Sequence, residues 1–181
     1  MPKYEQPIAE GTDMGNITEI NGVNVTKKLE FKALVMKDPA MADNNNTVLA
    51  HWLGGSRSRV ELKNKVVHLG GHGEFDAMQM LLAALAACDI DLMALHASLL
   101  GLKIESLSVE AAGHFNVQSY LGLEGAPVSA YDTISYVIHG SIPGATPEQV
   151  AYLRDRCEHS SPVRDSLLQS VPLHFDFQVK S

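Results

Sequence analysis

Cys88 is the side chain best able to do covalent chemistry, and its surroundings pull in two directions. It sits in "MLLAALAACDIDLMALHASLLG", Met80 to Gly101, where a run of Leu and Ala leads to the thiol and Asp89 and Asp91 follow it. Free cysteine is among the most buried residue types and packs as a small hydrophobe. A reactive cysteine must instead form a thiolate and meet its substrate. Asp91, at i+3 on nearly the same helical face, works against a negative sulfur, so a nucleophilic Cys88 needs a cation nearby. "GGSRSRVEL" offers two. Arg57 and Arg59 are two apart on a predicted strand and so point to one face. They read either as a solvated strand face or as guanidinium groups that hold a thiolate or a substrate oxygen.

The other candidates are weaker. Cys157, in "RDRCEHSSPV", lies near a helix end, and reads either as a thiol that resolves an oxidised Cys88 or as a bystander. His96 follows Cys88 by eight residues. That is ~12 Å along a helix axis, too far for a direct base, so a core or interface histidine is the expectation. His68, His72 and Glu74 in "HLGGHGE" have ligand-capable types. The glycines between them disfavour the helical i, i+4 pairing a metal would use, so no metal is expected. No P-loop, dinucleotide fingerprint or serine nucleophile elbow is present, and no cofactor is expected.

The elements that must position these residues fit a single domain. The chain has 181 residues, 45% hydrophobic and 19% charged, a globular composition able to build a core without disulfides. Its net charge of -7 argues against nucleic acid or an anionic membrane as a partner. The N-terminus shows no apolar h-region. The most apolar run, Ala77 to Cys88, is 12 residues, too short to span a bilayer. Two cysteines make no disulfide framework. A cytoplasmic protein is the expectation.

Residues 1–20 read as a loosely ordered arm and 21–181 as one domain. "NGVNVTKKLEFKALVMKDP" fits both helical and strand periodicity; Thr26 as a start and "KDP" as a stop favour a helix. "TVLAHWLGG" reads as a strand, linked through Gly54 and Gly55 to a second in "SRSRVELKNKVVHLGG", with a turn signal at Asn64. Asp76 to Leu100 is the strongest helix, with Asp76 and Gln79 as a capping-box variant and Gly101 with Leu102 as an αL cap. Its first three turns are apolar nearly all round, which predicts an enclosed helix covered largely by a second subunit. Strands follow in "KIESLSVEAAGHFNVQ" and "YDTISYVIHGSI". Thr146 and Pro147 then start a helix. Pro162 breaks it before a short helix in "SPVRDSLLQS", and "VPLHFDFQV" alternates as a closing strand. The class is α+β.

"LLAALAACDIDLMALHASLLGLKIESL" resembles the cysteine helix of the OsmC-like family, which includes osmotically inducible protein C and the organic hydroperoxide resistance proteins. "NGVNV", "KDP", "HWLGGSRSR", "YLGLEG" and "HSSPVRDSL" follow the same family in order, over roughly residues 21–179. The resemblance implies antiparallel sheets wrapped around two long central helices in an intertwined homodimer, with active sites at the subunit interface. It implies thiol-dependent reduction of hydroperoxides, organic ones preferred, with an external thiol or dithiol as reductant. By position the peroxidatic thiol is Cys88 and the arginine is Arg59, with Arg57 next.

Three positions depart from the family pattern. Ser161 stands directly before Pro162-Val163, where the pattern has its second cysteine. Ala77 replaces a helix-start proline. Met78, with Gln79 beside it, replaces a glutamate that pairs with the arginine. Gln79, His96 and Ser161 are further pocket candidates. Asp89 and Asp91 are expected to face a helix partner, a dimer contact or solvent. The alternative is a small-molecule-binding or redox-sensing protein of the same fold, in which Cys88 packs or senses.

Overall fold

The computed structural model describes residues 19–179. Most of the predicted N-terminal arm therefore lies outside the described residues. Its last two, Glu19–Ile20 (β1), pair antiparallel with Val23–Asn24 (β2). The turn between them is Asn21-Gly22, both at positive φ (51° and 76°), the geometry that Asn-Gly favours in a two-residue hairpin. Asn21 then stitches this hairpin to the far end of the longest helix. Its amide donates to Ser98 Oγ (3.0 Å) and the Leu102 carbonyl (2.9 Å), and its Oδ1 accepts from the Ile104 N–H (2.9 Å).

The ambiguous segment is a helix, Val25–Lys37 (α1). Its cap is not Thr26 but Asn24, whose Oδ1 accepts the Lys27 N–H at 2.9 Å. A 3-10 turn, Pro39–Ala42, follows. Leu49–Gly54 (β3), Arg57–Leu62 (β4) and Lys65–Leu69 (β5) form an antiparallel meander with β4 in the centre. The segment predicted as one second strand is thus a hairpin, split at Lys63-Asn64, where Lys63 takes a positive φ of 56°.

Ala77–Leu99 (α2) is the central helix, 23 residues long. Its capping box forms as predicted. Asp76 accepts the Gln79 N–H at 2.7 Å, and the Gln79 side chain accepts the Asp76 N–H at 3.0 Å. At the other end Gly101 has φ 74°, its N–H reaching the Ser98 carbonyl while the Leu102 N–H reaches that of Ala97. That paired arrangement is a Schellman motif, a fuller closure than the single αL bond expected. By length and composition α2 could cross a membrane, a point that counting only to Cys88 missed. In the fold it packs against β6, α3 and α4 instead.

Those partners are Ser106–Phe115 (β6), Pro147–Ser160 (α3) and Pro162–Leu168 (α4). β6 pairs antiparallel with Tyr131–Ser141 (β7). Leu107, Val109 and Ala111 of β6 turn toward the helices with Ile134, Tyr136 and Ile138 of β7. Gly113 is needed beneath the Tyr131 ring, whose carbons would meet a Cβ there at 2.6 Å. Thr146 caps α3 in a full capping box, with Pro147 at the first helical position. Met93, Ala97, Leu153 and Cys157 form the buried core between α2 and α3. The architecture is α+β, two long helices set against antiparallel sheets.

One predicted element is absent. Val171–Val179 is not a strand: it alternates as predicted, but Leu173 is 91% and Phe175 87% exposed. Alternation prepares two faces without supplying a neighbour, and a strand exists only where another backbone takes its hydrogen bonds. No edge among the described residues does so.

Candidate active site around Cys88

α2 turns Leu85, Asp89, Met93 and Ala97, each four residues after the last, into the interior. Cys88 lies beside that row, half-buried, where α2 meets the junction of α3 and α4. The junction is Ser161, the C-cap of one helix and the N-cap of the next. Pro162 at the first position of α4 requires extended backbone before it, and Ser161 obliges with φ -81° and ψ 110°. A serine in that place ordinarily uses its oxygen to cap the helix. This one makes no side-chain cap bond. Its hydroxyl, fully buried, is instead donated to Cys88 Sγ at 3.4 Å. The residue standing where the family pattern has its second cysteine therefore touches the first.

Asp89 is 0% exposed, and neither carboxyl oxygen finds a hydrogen bond of good geometry among the described residues. Burial pushes its pKa up; the neighbouring Ser161 hydroxyl and the Arg164 guanidinium of α4 pull part of the way back. Asp89 has thus found a helix partner, one of its expected settings, while Asp91 is exposed. Cys157 is buried at the same junction, one turn before Ser161. Burial pushes its thiol up to about 11, with Asp89 and Cys88 adding to the rise. Tyr136 of β7 is raised by burial and Asp89, an effect that Arg164 opposes. The sequence reading passed over Arg164 and Tyr136. Their signals were present, in "HSSPVRDSL" and in the inward register of β7.

Beside this cluster opens a cleft of about 730 Å³ between β7, α3 and α4, lined by Met93, Tyr136, Leu153, Cys157 and Arg164 among others. Gln79 lines a different, smaller cleft of about 350 Å³ with Phe75, Leu82 and Ala86. His96 serves the α2–α3 contact: its Nδ1 is 2.9 Å from the Tyr152 hydroxyl, and burial, then Arg156 and Lys32, hold its pKa down.

The two strand arginines are not brought to Cys88 within the described chain. Arg57, Arg59 and Glu61 share one face of β4 by alternation, and Arg59 pairs with Glu61. Arg57 pairs with Glu74 at 3.4 Å. Glu74 also accepts the Gly71 N–H at 2.8 Å, closing the loop that leads into α2. Glu74 is thereby engaged, and among the described residues no three His, Cys, Asp or Glu side chains gather as a metal set. The β3–β5 meander makes only sparse contact with the rest of the described chain.

The arrangement offers a fixed thiol, a buried hydroxyl aimed at its sulfur, a buried carboxyl behind them and an apolar cleft alongside. Sequence comparison matches residues 70–176 to the OsmC-like protein family, a span that contains Cys88 and Ser161 but begins after Arg57 and Arg59. None of the curated proteins matches the chain. Among solved structures the fold is similar to an OsmC-like protein from Mycoplasma pneumoniae (16% identity, TM-score 0.58, covering 70% of this chain and 89% of that one). It is also similar to an OsmC-like protein of unknown function from Vibrio cholerae (11%, TM-score 0.56, 68% and 94%) and to a hypothetical protein from Aquifex aeolicus (9%, TM-score 0.56, 70% and 89%).

Proposed function

The chain belongs to the OsmC-like protein family, and on that premise we propose that it is a thiol-dependent peroxidase of organic hydroperoxides, with Cys88 as the peroxidatic cysteine. The observation that carries the reading is the buried Ser161 hydroxyl donated to Cys88 Sγ at 3.4 Å. A core cysteine kept for packing needs no such donor, whereas a sulfur that bears negative charge is stabilised by one.

In the reaction the Cys88 thiolate attacks the terminal oxygen of R–O–OH. The S–O bond forms as the O–O bond breaks, and the alkoxide leaves to take up a proton as ROH. Cys88 becomes a sulfenic acid, oxidised by two electrons. An external thiol displaces water from it to give a mixed disulfide, and a second thiol releases Cys88, so a dithiol suffices. We assign Cys157 a structural part. Its burial and a pKa of about 11 leave it mostly protonated and slow as a nucleophile near neutrality.

The protein acts as a homodimer in the cytoplasm, where its thiols stay reduced. What supports the dimer is unpaired apolar surface: Trp52 is 78% exposed on the meander, and Leu29, Phe31 and Leu34 of α1 face out. In that dimer Arg59 of one subunit serves Cys88 of the other, stabilising the thiolate and the charge growing on the leaving oxygen. The rival reading is a binding or sensing protein, favoured by one observation, that Arg57 and Arg59 are both paired with carboxylates close by in their own chain.

Turnover separates the two readings. Wild-type protein with cumene hydroperoxide and a dithiol reductant consumes peroxide catalytically, and Cys88→Ser abolishes the reaction. A wild type without turnover, or a Cys88→Ser variant that keeps it, overturns the peroxidase reading.

A further inference from the structure

Ser161 has one hydrogen to donate, and two groups compete for it: the Cys88 sulfur at 3.4 Å and the carboxyl of Asp89, which Ser161 helps to keep ionised. The winner depends on where the Asp89 proton is. A neutral carboxyl is itself a donor; its O–H can go to Ser161 Oγ, and the serine hydrogen then goes on to sulfur. An ionised carboxylate only accepts, and it is a stronger acceptor than sulfur. It takes the serine hydrogen and leaves a second negative group behind the thiol.

We propose that Asp89 is a positioning residue: neutral, it aims the Ser161 hydroxyl at Cys88; ionised, it withdraws that hydroxyl. The inference rests on the reading of Cys88 as a reactive thiol and gives a purpose to a buried carboxyl whose oxygens make no hydrogen bond of good geometry among the described residues. The groups around Asp89 set the balance. From α4, Arg164 favours the ionised form. From α3 and β7, Cys157 and Tyr136 are weak acids whose own ionisation Asp89 opposes. β6 turns its carboxylate, Glu110, outward, and β2 brings no titratable side chain. Burial outweighs Arg164 and Ser161, so the exchange falls above the usual carboxylate range of about 4. The donor to sulfur is present below the folded-state pKa of Asp89 and lost above it.

The test is the rate of Cys88 alkylation by iodoacetamide, located by mass spectrometry, in the full-length protein between about pH 5 and pH 9. It needs no peroxide turnover, so its outcome stands apart from that of the peroxidase assay. Wild type reacts faster than Ser161→Ala at the acid end, by about fivefold, the equivalent of one hydrogen bond. That ratio falls toward one as Asp89 ionises, at a pH set by the carboxyl and before the thiol itself titrates; a fixed donor would hold it level over that range. In the wild-type background Asp89→Asn, permanently neutral, speeds alkylation by a similar factor at a pH where Asp89 is ionised and the thiol is not; in the Ser161→Ala background the gain disappears. A wild-type to Ser161→Ala ratio that stays level until the thiol itself ionises overturns the proposal, since a donor indifferent to Asp89 gives that profile. So does an equal gain from Asp89→Asn in both backgrounds, which is what mere removal of a negative charge produces. The first comparison needs no substitution at Asp89 and holds even if that variant fails to fold.

Discussion

In the part of the chain built from α2, α3, α4 and the β6–β7 pair, apolar side chains meet one another: Met93, Ala97, Leu153 and Cys157 are buried together, and Leu107, Ile138 and Ile142 close over them. In the part built from α1, the β3–β5 meander and the tail from Val171, comparable side chains meet solvent. Met36 and Trp52 are each 78% exposed. The tail apart, both parts have regular secondary structure, so the difference lies in what each has to pack against. The first part completes its own core and fixes the thiol, the serine and the buried carboxyl. The second carries the two arginines on a sheet with little cover from its own chain. On the proposed reading, a site assembled from both parts would draw its nucleophile from one subunit and its cation from another.

The largest expected effect breaks the link between the parts. Arg59→Ala lowers kcat/KM for cumene hydroperoxide by about 100-fold, the usual loss when one donor to a developing negative charge is removed. Arg57→Ala, at the arginine that comes second by family position, costs less than about tenfold on the same scale. Mixing Arg59→Ala subunits with Cys88→Ser subunits restores part of the activity, because one of the two hybrid sites then has both residues intact. No recovery on mixing would show that the meander does not serve a partner.

A smaller effect lies where the packed part is tied to the N-terminal hairpin. Asn21→Ala removes three hydrogen bonds and a residue tolerant of positive φ. It should destabilise the fold by about 2–3 kcal/mol, read as a lower midpoint in urea with little change in slope. A shift below about 0.5 kcal/mol would mean that the hairpin is not held by this contact.

Smallest of all is a change that leaves both parts standing. Ser161→Cys puts a thiol where an oxygen already lies 3.4 Å from Cys88 Sγ. One equivalent of hydroperoxide should then yield a disulfide between Cys88 and the introduced thiol, read by non-reducing mass spectrometry. Failure to form it would mean that the two backbones do not meet disulfide geometry.

The same comparison shows what a sequence can tell. Asp76 with Gln79, Gly101, and Thr146 with Pro147 announced helix ends correctly because capping is settled within a few residues. The inward register of β6 and β7 was legible for the same local reason. Placing the first cap at Thr26 instead of Asn24 was a slip of two positions inside one polar cluster. The tail from Val171 shows the limit: Leu173, Phe175 and Phe177 have the alternation of a strand and no strand beside them. The site divides in the same way. Cys88 and Ser161 were singled out through family pattern and lie in contact, whereas for Asp89 a helix partner was one of three settings left open, since a carboxylate beside an apolar run does not itself say which way it faces. Arg57 and Arg59 gave a face, and a face does not say which subunit it addresses.

The central claim is that Cys88 is the thiol that peroxide oxidises and that Cys157 takes no part. Reduced full-length protein is given one equivalent of cumene hydroperoxide, trapped with dimedone and mapped by non-reducing mass spectrometry. The account predicts a dimedone adduct on Cys88 with Cys157 still a free thiol. Recovery of Cys88 unmodified, or joined to Cys157 in a stoichiometric disulfide, would contradict it.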